Sequence, residues 1–267
     1  GLSSIGVPTS LKETAFPFNY NKFDELEELV ATKNIGVIMM EVSRNFDPDQ
    51  GFLQKVRALC DAKGIVLIFD ECSSGFRETF GGLHIKYNVQ PDLAMFGKAL
   101  GNGYAVTAVV GRKEIMEVAQ STFISSTFWT ERIGSVAALK TLEVMEITKS
   151  WEVVSATGRL ITKRWADLAK LYNLPIITFG LPALTSFKLS CSDWLAYKTL
   201  ITQEMLKNGF LASNTVYVAT VHSEEIINEY FAKLENVFSL ISDCEQGRNV
   251  KSLLDGPLCH DGFYRLN

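Results

Sequence analysis

The sequence predicts an α/β fold with a mostly parallel sheet, followed by a smaller α+β domain. Two short apolar runs, Ile65–Phe69 and Leu93–Phe96, are bounded by turn residues, which is typical of strands buried on both faces of a parallel sheet. A helical pattern separates the earlier apolar run Ile35–Met40 from the first of them. Strand, helix and strand therefore alternate, as in right-handed crossover units.

The elements before the first of these runs follow from local signals. Residues 1–20 are predicted to form a connecting segment. Asn21 is expected to cap a helix, with Asp24 completing a capping box, because an apolar stripe follows. A second helix is predicted to begin near Asp49 and to end at Gly64, since glycine is favoured just past a helix end.

The pattern changes after a third apolar run, Ala105–Val110, which follows a glycine-rich turn. A short helix is predicted over Lys113–Ala119 and a long one from about Thr130. The apolar periodicity of the long helix predicts a buried side made of Ile133, Val136, Ala137, Leu139, Leu142 and Met145.

A domain boundary is predicted near residue 149. Residues 1–148 then form part of the large domain, 149–242 a small carboxyl-terminal α+β domain, and 243–267 an irregular tail. In the small domain the patterns predict a helix to Tyr172, strands over 175–178 and 183–189, a helix over 194–208, a strand over 210–218 and a helix over 223–242.

Composition excludes several function classes. The 267 residues carry a net charge of −4, so no basic excess is available to bind nucleic acid. No apolar run reaches the roughly eighteen residues of a membrane helix. The five cysteines are scattered and odd in number, which indicates reduced thiols in the cytoplasm.

Charged residues lie where two predicted strands end: Asp70 with Glu71 after the first, and Lys98 after the second. Ligands of parallel sheets bind beyond the carboxyl ends of strands. A phosphate-binding loop does not fit, since Gly97-Lys98 lacks the first glycine and the Ser/Thr and follows the acid in sequence. The three histidines have no metal-ligand spacing, and a serine-nucleophile motif is incomplete around Ser73.

A nucleophilic lysine accounts for both charges. A lysine after a buried strand can lose its proton through desolvation and form a Schiff base with an aldehyde. An aspartate on a neighbouring strand end can keep a pyridine nitrogen protonated. Lys98 and Asp70 thus match the two polar contacts that pyridoxal 5'-phosphate (PLP) needs at opposite ends of its electron sink. The sequence predicts no metal.

Two segments resemble the paired signatures of class III aminotransferases. They are residues 70–77, DECSSGFR, and residues 91–98, PDLAMFGK; the likeness continues through VVGR at 109–112 and loosely to about Phe238. Within that family the chain looks most like the glutamate-1-semialdehyde aminomutase branch. The resemblance implies the fold type I sheet of PLP-dependent aminotransferases, with PLP as the cofactor.

The resemblance also implies roles for individual residues. Lys98 would bind the cofactor and then act as general base and acid, while Asp70 would hold the pyridinium N–H. Cys72 stands where the family usually has a valine against the ring and is interpreted as a packing residue. Ser73 can reach the cofactor's phenolic oxygen. Thr127 matches the threonine that reaches the partner's cofactor phosphate in family homodimers.

Three further positions concern the substrate, a small-molecule amino donor or acceptor. Glu41 matches a glutamate near the substrate, although Val42 replaces its proline neighbour. Many class III transaminases keep a carboxyl-terminal arginine for the substrate carboxylate; Arg248 and Arg265 are available, but neither lies in the matched region.

Three functions stay open from the sequence. The first is a transaminase, the second an aminomutase that moves the amino group within one molecule. The third is a non-catalytic aminotransferase-like module, because the family's phosphate-cradling loop and ring-stacking aromatic belong to an amino-terminal portion that this sequence lacks.

Overall fold

The structure, a computed structural model, describes residues 6–43 and 45–262. The chain divides into two compact units, Gly1–Trp151 and Glu152–Asn267. The sequence-based boundary at residue 149 lies close to this division. Within the described ranges, none of the helices combines the length and apolar character needed to cross a membrane.

The first unit contains a four-stranded sheet, and its mostly parallel character is confirmed. The strands lie side by side in chain order: β1 (Val37–Glu41), β2 (Val66–Asp70), β3 (Leu93–Phe96) and β4 (Ala108–Gly111). The first three are parallel, whereas β4 runs antiparallel to β3. A parallel β4 would need a crossover of a dozen or more residues, and the connection over residues 97–107 contains no such crossover helix.

One face of this sheet is fully buried. Alternate residues pack inward, and the helix over Phe52–Lys63 contacts β2; the inward set is Ile38, Met40, Leu67, Phe69, Ala94 and Phe96. On the opposite face Val37 and Met39 are half exposed. At β1 the second face is therefore open to solvent, whereas on β2 and β3 the residues of the second face are partly buried.

Helices and short 3-10 turns connect the strands of the first unit. The helices are α1 (Phe23–Thr32), α2 (Phe52–Lys63), α3 (Lys113–Met116) and α4 (Ile133–Thr148). The 3-10 turns are Thr9–Leu11, Leu83–Tyr87, Lys98–Leu100, Glu117–Ser121 and Thr127–Thr130. Gly64 ends α2 as predicted, with a φ of +65° that glycine adopts without strain.

The predicted capping box at α1 is wrong. Lys22 occupies the cap position, and no side chain caps the helix. Asn21 instead binds a distant loop: its amide donates to the Asp47 carbonyl at 3.0 Å and its oxygen accepts from the Asp49 N–H at 2.9 Å. Its positive φ of 63° turns the side chain away from the helix, so it joins two loops rather than starting α1.

The buried side predicted for α4 is also partly wrong. Ile133, Val136 and Leu139 are 63%, 62% and 69% exposed, whereas Gly134 is buried. A Cβ at Gly134 would lie 3.1 Å from the Ala105 carbonyl, so this small residue marks the face that packs. The helix is apolar on more than one side, and periodicity alone could not decide which side faces its own unit.

The second unit is an α+β layer with an antiparallel sheet. Its elements are α5 (Ser150–Leu171, whose first two residues precede the division), β5 (Ile176–Phe179), β6 (Leu184–Leu189), α6 (Trp194–Lys207), β7 (Thr215–Tyr217) and α7 (Glu224–Glu245), with strand order β5-β6-β7. The rings of Trp165 and Phe187 pack at the centre of the core in a tilted arrangement, with centroids 4.8 Å apart and ring planes at 57°. The Trp165 indole N–H donates to Tyr230 Oη at 3.0 Å, which satisfies both buried polar groups.

Two boundaries in this unit differ from the sequence-based ones. The strand predicted over 210–218 is confined to Thr215–Tyr217, since the Phe210 ring packs on Tyr230 instead. The predicted tail is partly ordered: α7 continues to Glu245, and a 3-10 turn, Val250–Leu253, buries Val250 in the core. Arg265 lies outside the described residues.

Candidate active site

The carboxyl ends of β1, β2 and β3 meet at one edge of the first sheet. Glu41 and Asp70 are register partners on β1 and β2, and Asp70 pairs with Met95 on β3. Lys98 follows β3 by two residues. The sequence therefore places two carboxylates and an amine on neighbouring strand ends, which is the arrangement predicted from the apolar runs.

Lys98 lies in an unusual backbone conformation. Its φ is +43°, in the left-handed region that costs a non-glycine residue of order 1 kcal/mol, and such residues are often found at functional sites. The ammonium Nζ donates a 2.8 Å hydrogen bond to Ser73 Oγ. Lys98 begins a 3-10 turn, whose residue Leu100 anchors it in the core beneath.

The desolvation expected of Lys98 is not provided by the described residues, because its side chain is exposed. The lysine stands on a turn at the rim of the sheet, beyond the last buried strand residue, Phe96. Its hydrogen bond to Ser73 comes from the turn over residues 72–75.

Asp70 is oriented by the turn that follows it. The Cys72 main-chain N–H donates to Asp70 Oδ1 at 2.9 Å, and the Gly75 N–H donates to the Glu71 carbonyl at 2.8 Å. A Cβ at Gly75 would lie 2.7 Å from that carbonyl oxygen and from the Phe96 ring. The tight turn therefore requires glycine here, and it holds Ser73 toward Lys98.

Cys72 is placed as a packing residue would be. Burial, together with its hydrogen bond to Asp70, raises the pKa of the thiol, and this outweighs the opposite effect of Lys98. A Cβ at Gly97 would lie 3.6 Å from Cys72 Sγ, so the thiol packs against the strand end just before Lys98. A protonated thiol is a poor nucleophile, which favours the packing role.

Thr127 is separate from these residues. It begins the Thr127–Thr130 turn and is exposed, and the hydrogen bonds described for the chain do not link it to Lys98 or Asp70. Arg248 is likewise not linked to Lys98 or Asp70 by the hydrogen bonds described for the chain. It forms a surface ion pair with Asp243 at 3.5 Å.

The sequence reasoning missed two residues behind the site. Glu71 is fully buried, and its Oε1 lies 2.9 Å from both the main-chain N and Nδ1 of His84. The missed signal is strand alternation, since a second acid directly after Asp70 must point to the opposite, buried face.

Comparison with known proteins identifies the family. The model of the family described as aminotransferase class-III matches residues 18–226, more than three quarters of the chain. The chain belongs to the class III aminotransferases. The two signature segments at 70–77 and 91–98 both lie inside the matched region.

Curated relatives of this class III aminotransferase include enzymes of two activities. A 3-aminobutyryl-CoA aminotransferase of Cloacimonas acidaminovorans is 36% identical over 207 residues, covering 74% of this chain and 50% of the relative. A glutamate-1-semialdehyde 2,1-aminomutase of Sulfurisphaera tokodaii is 30% identical over 259 residues, covering 89% and 62%. The chain thus spans about half to three fifths of the length of the curated relatives it matches.

Solved structures confirm the fold type expected for a class III aminotransferase. The FumI protein of Sphingopyxis sp. MTA144, solved in its PLP internal aldimine form, superposes with a TM-score of 0.82 at 20% identity, covering 93% of this chain and 63% of that one. An omega-transaminase from Sphaerobacter thermophilus gives a TM-score of 0.80 at 20% identity, covering 87% and 59%.

Proposed function

We propose that this chain is the lysine-bearing part of a PLP-dependent transaminase, which moves an amino group between small-molecule donors and acceptors. The observation that supports this most directly is the placement of Lys98 Nζ 2.8 Å from Ser73 Oγ, at the sheet edge that also presents Asp70. Membership of the class III family and a PLP-containing structural neighbour support the same assignment.

The residues present fit the aldehyde and the pyridine nitrogen of PLP. An amine and a carboxylate stand on neighbouring strand ends, and a main-chain N–H fixes the carboxylate. When bound, PLP would supply an aldehyde carbon for the lysine and an electron sink for the substrate's Cα. We assign its phosphate in part to Thr127 of a second subunit, because the described residues near Lys98 include no phosphate-binding loop.

Each site residue then has a defined role. Lys98 Nζ would move a proton between the substrate's Cα and the cofactor's C4′, as a general base and acid. Asp70 would hold the proton at the ring nitrogen, and its carboxylate is already aimed by the Cys72 N–H. Ser73 would orient Lys98 and reach the phenolic oxygen, Cys72 would pack against the ring, and Glu41 would face the substrate.

We also propose that two copies form a homodimer. The segment before α4 and the outer face of that helix expose large apolar side chains: Phe123, Phe128, Trp129, Ile133, Val136 and Leu139. Exposed apolar surface of this extent indicates an interface. Thr127 lies within the same segment, so dimerisation would bring it to a partner.

The unpaired state of all five cysteines supports a cytoplasmic location.

A second candidate is intramolecular amino transfer. The aminomutase of Sulfurisphaera tokodaii favours it, because this relative matches 89% of the chain at 30% identity. The 3-aminobutyryl-CoA aminotransferase matches a smaller share, 74%, at the higher identity of 36%. A transaminase releases a keto product after the first half-reaction, whereas a mutase retains its intermediate. The two are distinguished by whether a keto product accumulates when an amino donor is added.

The experiment that tests the proposal is a PLP titration of the purified chain. We expect the visible-edge absorption of lysine-bound cofactor in the wild type and in the control Lys113→Ala, which changes another exposed lysine of the same unit. Lys98→Ala should abolish the band while circular dichroism stays unchanged. Absence of the band in the folded wild type at saturating PLP would support the non-catalytic module instead.

A further inference from the structure

We propose that Glu71 and His84 are positioning residues for the lysine–carboxylate site. The buried pair closes the loop over residues 72–82, and through this loop it sets the placement of Lys98 Nζ and of the Asp70 carboxylate. The inference rests on the proposed function, since it assigns residues that act on that same site.

The carboxylate of Glu71 is the central acceptor of this arrangement. Its Oε1 lies 2.9 Å from the main-chain N–H of His84 and 2.9 Å from His84 Nδ1, and its Oε2 accepts from the Ser74 hydroxyl. Because an ionised carboxylate can only accept, Nδ1 must carry the proton. A side chain with no exposed surface is thus satisfied from both ends of one loop.

Glu71 is ionised in this setting. Burial alone would raise its pKa, but the hydrogen bonds from His84 and Ser74 outweigh burial and leave the pKa below its ordinary value. Loss of any one donor would leave a buried charge poorly compensated. The local structure then has to rearrange to bring in water or another donor.

The loop around the pair leaves little room for such a rearrangement. A Cβ at Gly82 would lie 2.3 Å from the His84 ring and 2.8 Å from Glu71 Oε1. The Phe76 N–H donates to the Gly81 carbonyl at 2.7 Å, which closes the loop a second time. The centroid of the His84 ring also lies 6.0 Å from the ring centroid of Phe69 on β2. The pair therefore ties the loop end to the strand that ends in Asp70.

The same loop contains the groups that touch the site. Cys72 N–H binds Asp70 Oδ1, and Ser73 Oγ accepts from Lys98 Nζ. Ser74, the next residue, donates to Glu71. Successive residues of one short turn thus connect the buried Glu71 carboxylate to Lys98 Nζ and to the Asp70 carboxylate. A shift of Glu71 must therefore move the turn that contains the Lys98 partner. Small displacements of this kind are costly at sites where one atom must attack another.

The test compares His84→Leu, which removes the Nδ1 donor, with His84→Gln, whose amide can donate to Glu71 again. The first readout needs no cofactor: brief exposure of the full chain to formaldehyde and cyanoborohydride, with methylation of Lys98 measured by peptide mass spectrometry against Lys163. His84→Leu should raise the Lys98 rate about threefold, the size expected for one hydrogen bond. His84→Gln should restore the wild-type rate.

A double-mutant cycle separates positioning from general destabilisation. Ser73→Ala should raise the Lys98 rate to the same degree, and the double variant Ser73→Ala/His84→Leu should show no further rise, because both act through one contact. Asp92→Asn is the matched control: it removes another buried carboxylate of this unit, next to β3 but at its opposite end. It should leave the Lys98 rate unchanged.

The outcomes distinguish this proposal from the proposed function. Additive effects, or equal effects of His84→Leu and Asp92→Asn, would overturn the positioning role. If the variants show the non-additive pattern but the wild type never binds PLP covalently, the positioning role is retained and the transaminase proposal is rejected. Where His84→Leu does not fold, Ser74→Ala removes a smaller donor to the same carboxylate and is read by the same criteria.

Discussion

The amine of Lys98 and the hydroxyl of Ser73 are joined by a 2.8 Å hydrogen bond between residues that are 25 positions apart in the chain. Lys98 reaches this partner from a left-handed turn after β3, and Ser73 from the tight turn after β2. The contact therefore depends on the parallel pairing of two strands. It links side chains of the two signature segments of the family.

Ser73→Ala should weaken covalent PLP binding without abolishing it. The variant removes the hydroxyl that we propose reaches the phenolic oxygen of PLP, and for the loss of one such hydrogen bond we expect about 1 kcal/mol, or about a fivefold higher Kd. Titration by the visible absorption band measures the change. Ser121→Ala, which removes another exposed serine hydroxyl bonded to the Val118 carbonyl, is the control. An unchanged Kd in Ser73→Ala would show that the serine does not bind the cofactor's phenolic oxygen.

Acidification should destabilise the first unit through Asp92. Burial raises the pKa of this carboxyl, but the Leu67 N–H and the guanidinium groups of Arg57 and Arg112 outweigh burial and hold the pKa below its usual value. A lowered folded-state pKa gives stability that is present above the unfolded pKa and is lost as the pH falls through the folded one. The loss should therefore begin below about pH 4.

Asp92→Asn tests this directly. Asp92 accepts from Leu67 N at 2.7 Å and from both arginines at 3.0 Å, so the variant should lower the free energy of unfolding by about 3 kcal/mol at pH 7. The difference from the wild type should shrink as the pH falls toward 3. Urea unfolding followed by circular dichroism at several pH values measures both effects. A difference independent of pH would contradict the ion-pair explanation.

Gly158→Ala should destabilise the second unit. Although alanine favours helices, a Cβ at this position of α5 would lie 1.8 Å from the Pro182 carbonyl oxygen, and that contact is backbone, which cannot move aside. Overpacking of this kind costs about 3 kcal/mol. Gly256→Ala is the control, because a Cβ there meets nothing within 4 Å. The midpoint of thermal unfolding of both variants measures the effect. Equal midpoints would contradict the close approach of the Pro182 carbonyl to position 158.

The sequence was most informative where signals were local. Lys98 and Asp70 were found because each follows a short apolar run, and parallel strands bring such ends together. Strand alternation indicates that Glu71 is buried, but its pairing with His84 depends on the path of a loop that contains no periodic pattern, so no local signal indicates the partner. The direction of β4 could have been inferred from the length of its connection.

The orientation of α4 could not have been inferred, and it leads to the last prediction. An apolar helix can bury any of its sides, and here the small residue Gly134 selects the inner face, which leaves Val136 and Leu139 outside. If these residues form the dimer interface, Leu139→Glu should place a charge within it and raise the dimer dissociation constant by at least about tenfold.

Leu211→Glu provides the matched control for this change. Leu211 is 98% exposed and belongs to the second unit, away from the α4 surface in sequence. Sedimentation equilibrium over a range of concentrations should show dimers for the wild type and Leu211→Glu, and monomers for Leu139→Glu. Because Thr127 lies in the segment just before α4, the monomeric variant should also bind PLP more weakly than the control. A Leu139→Glu chain that sediments as the wild type does would place the interface elsewhere.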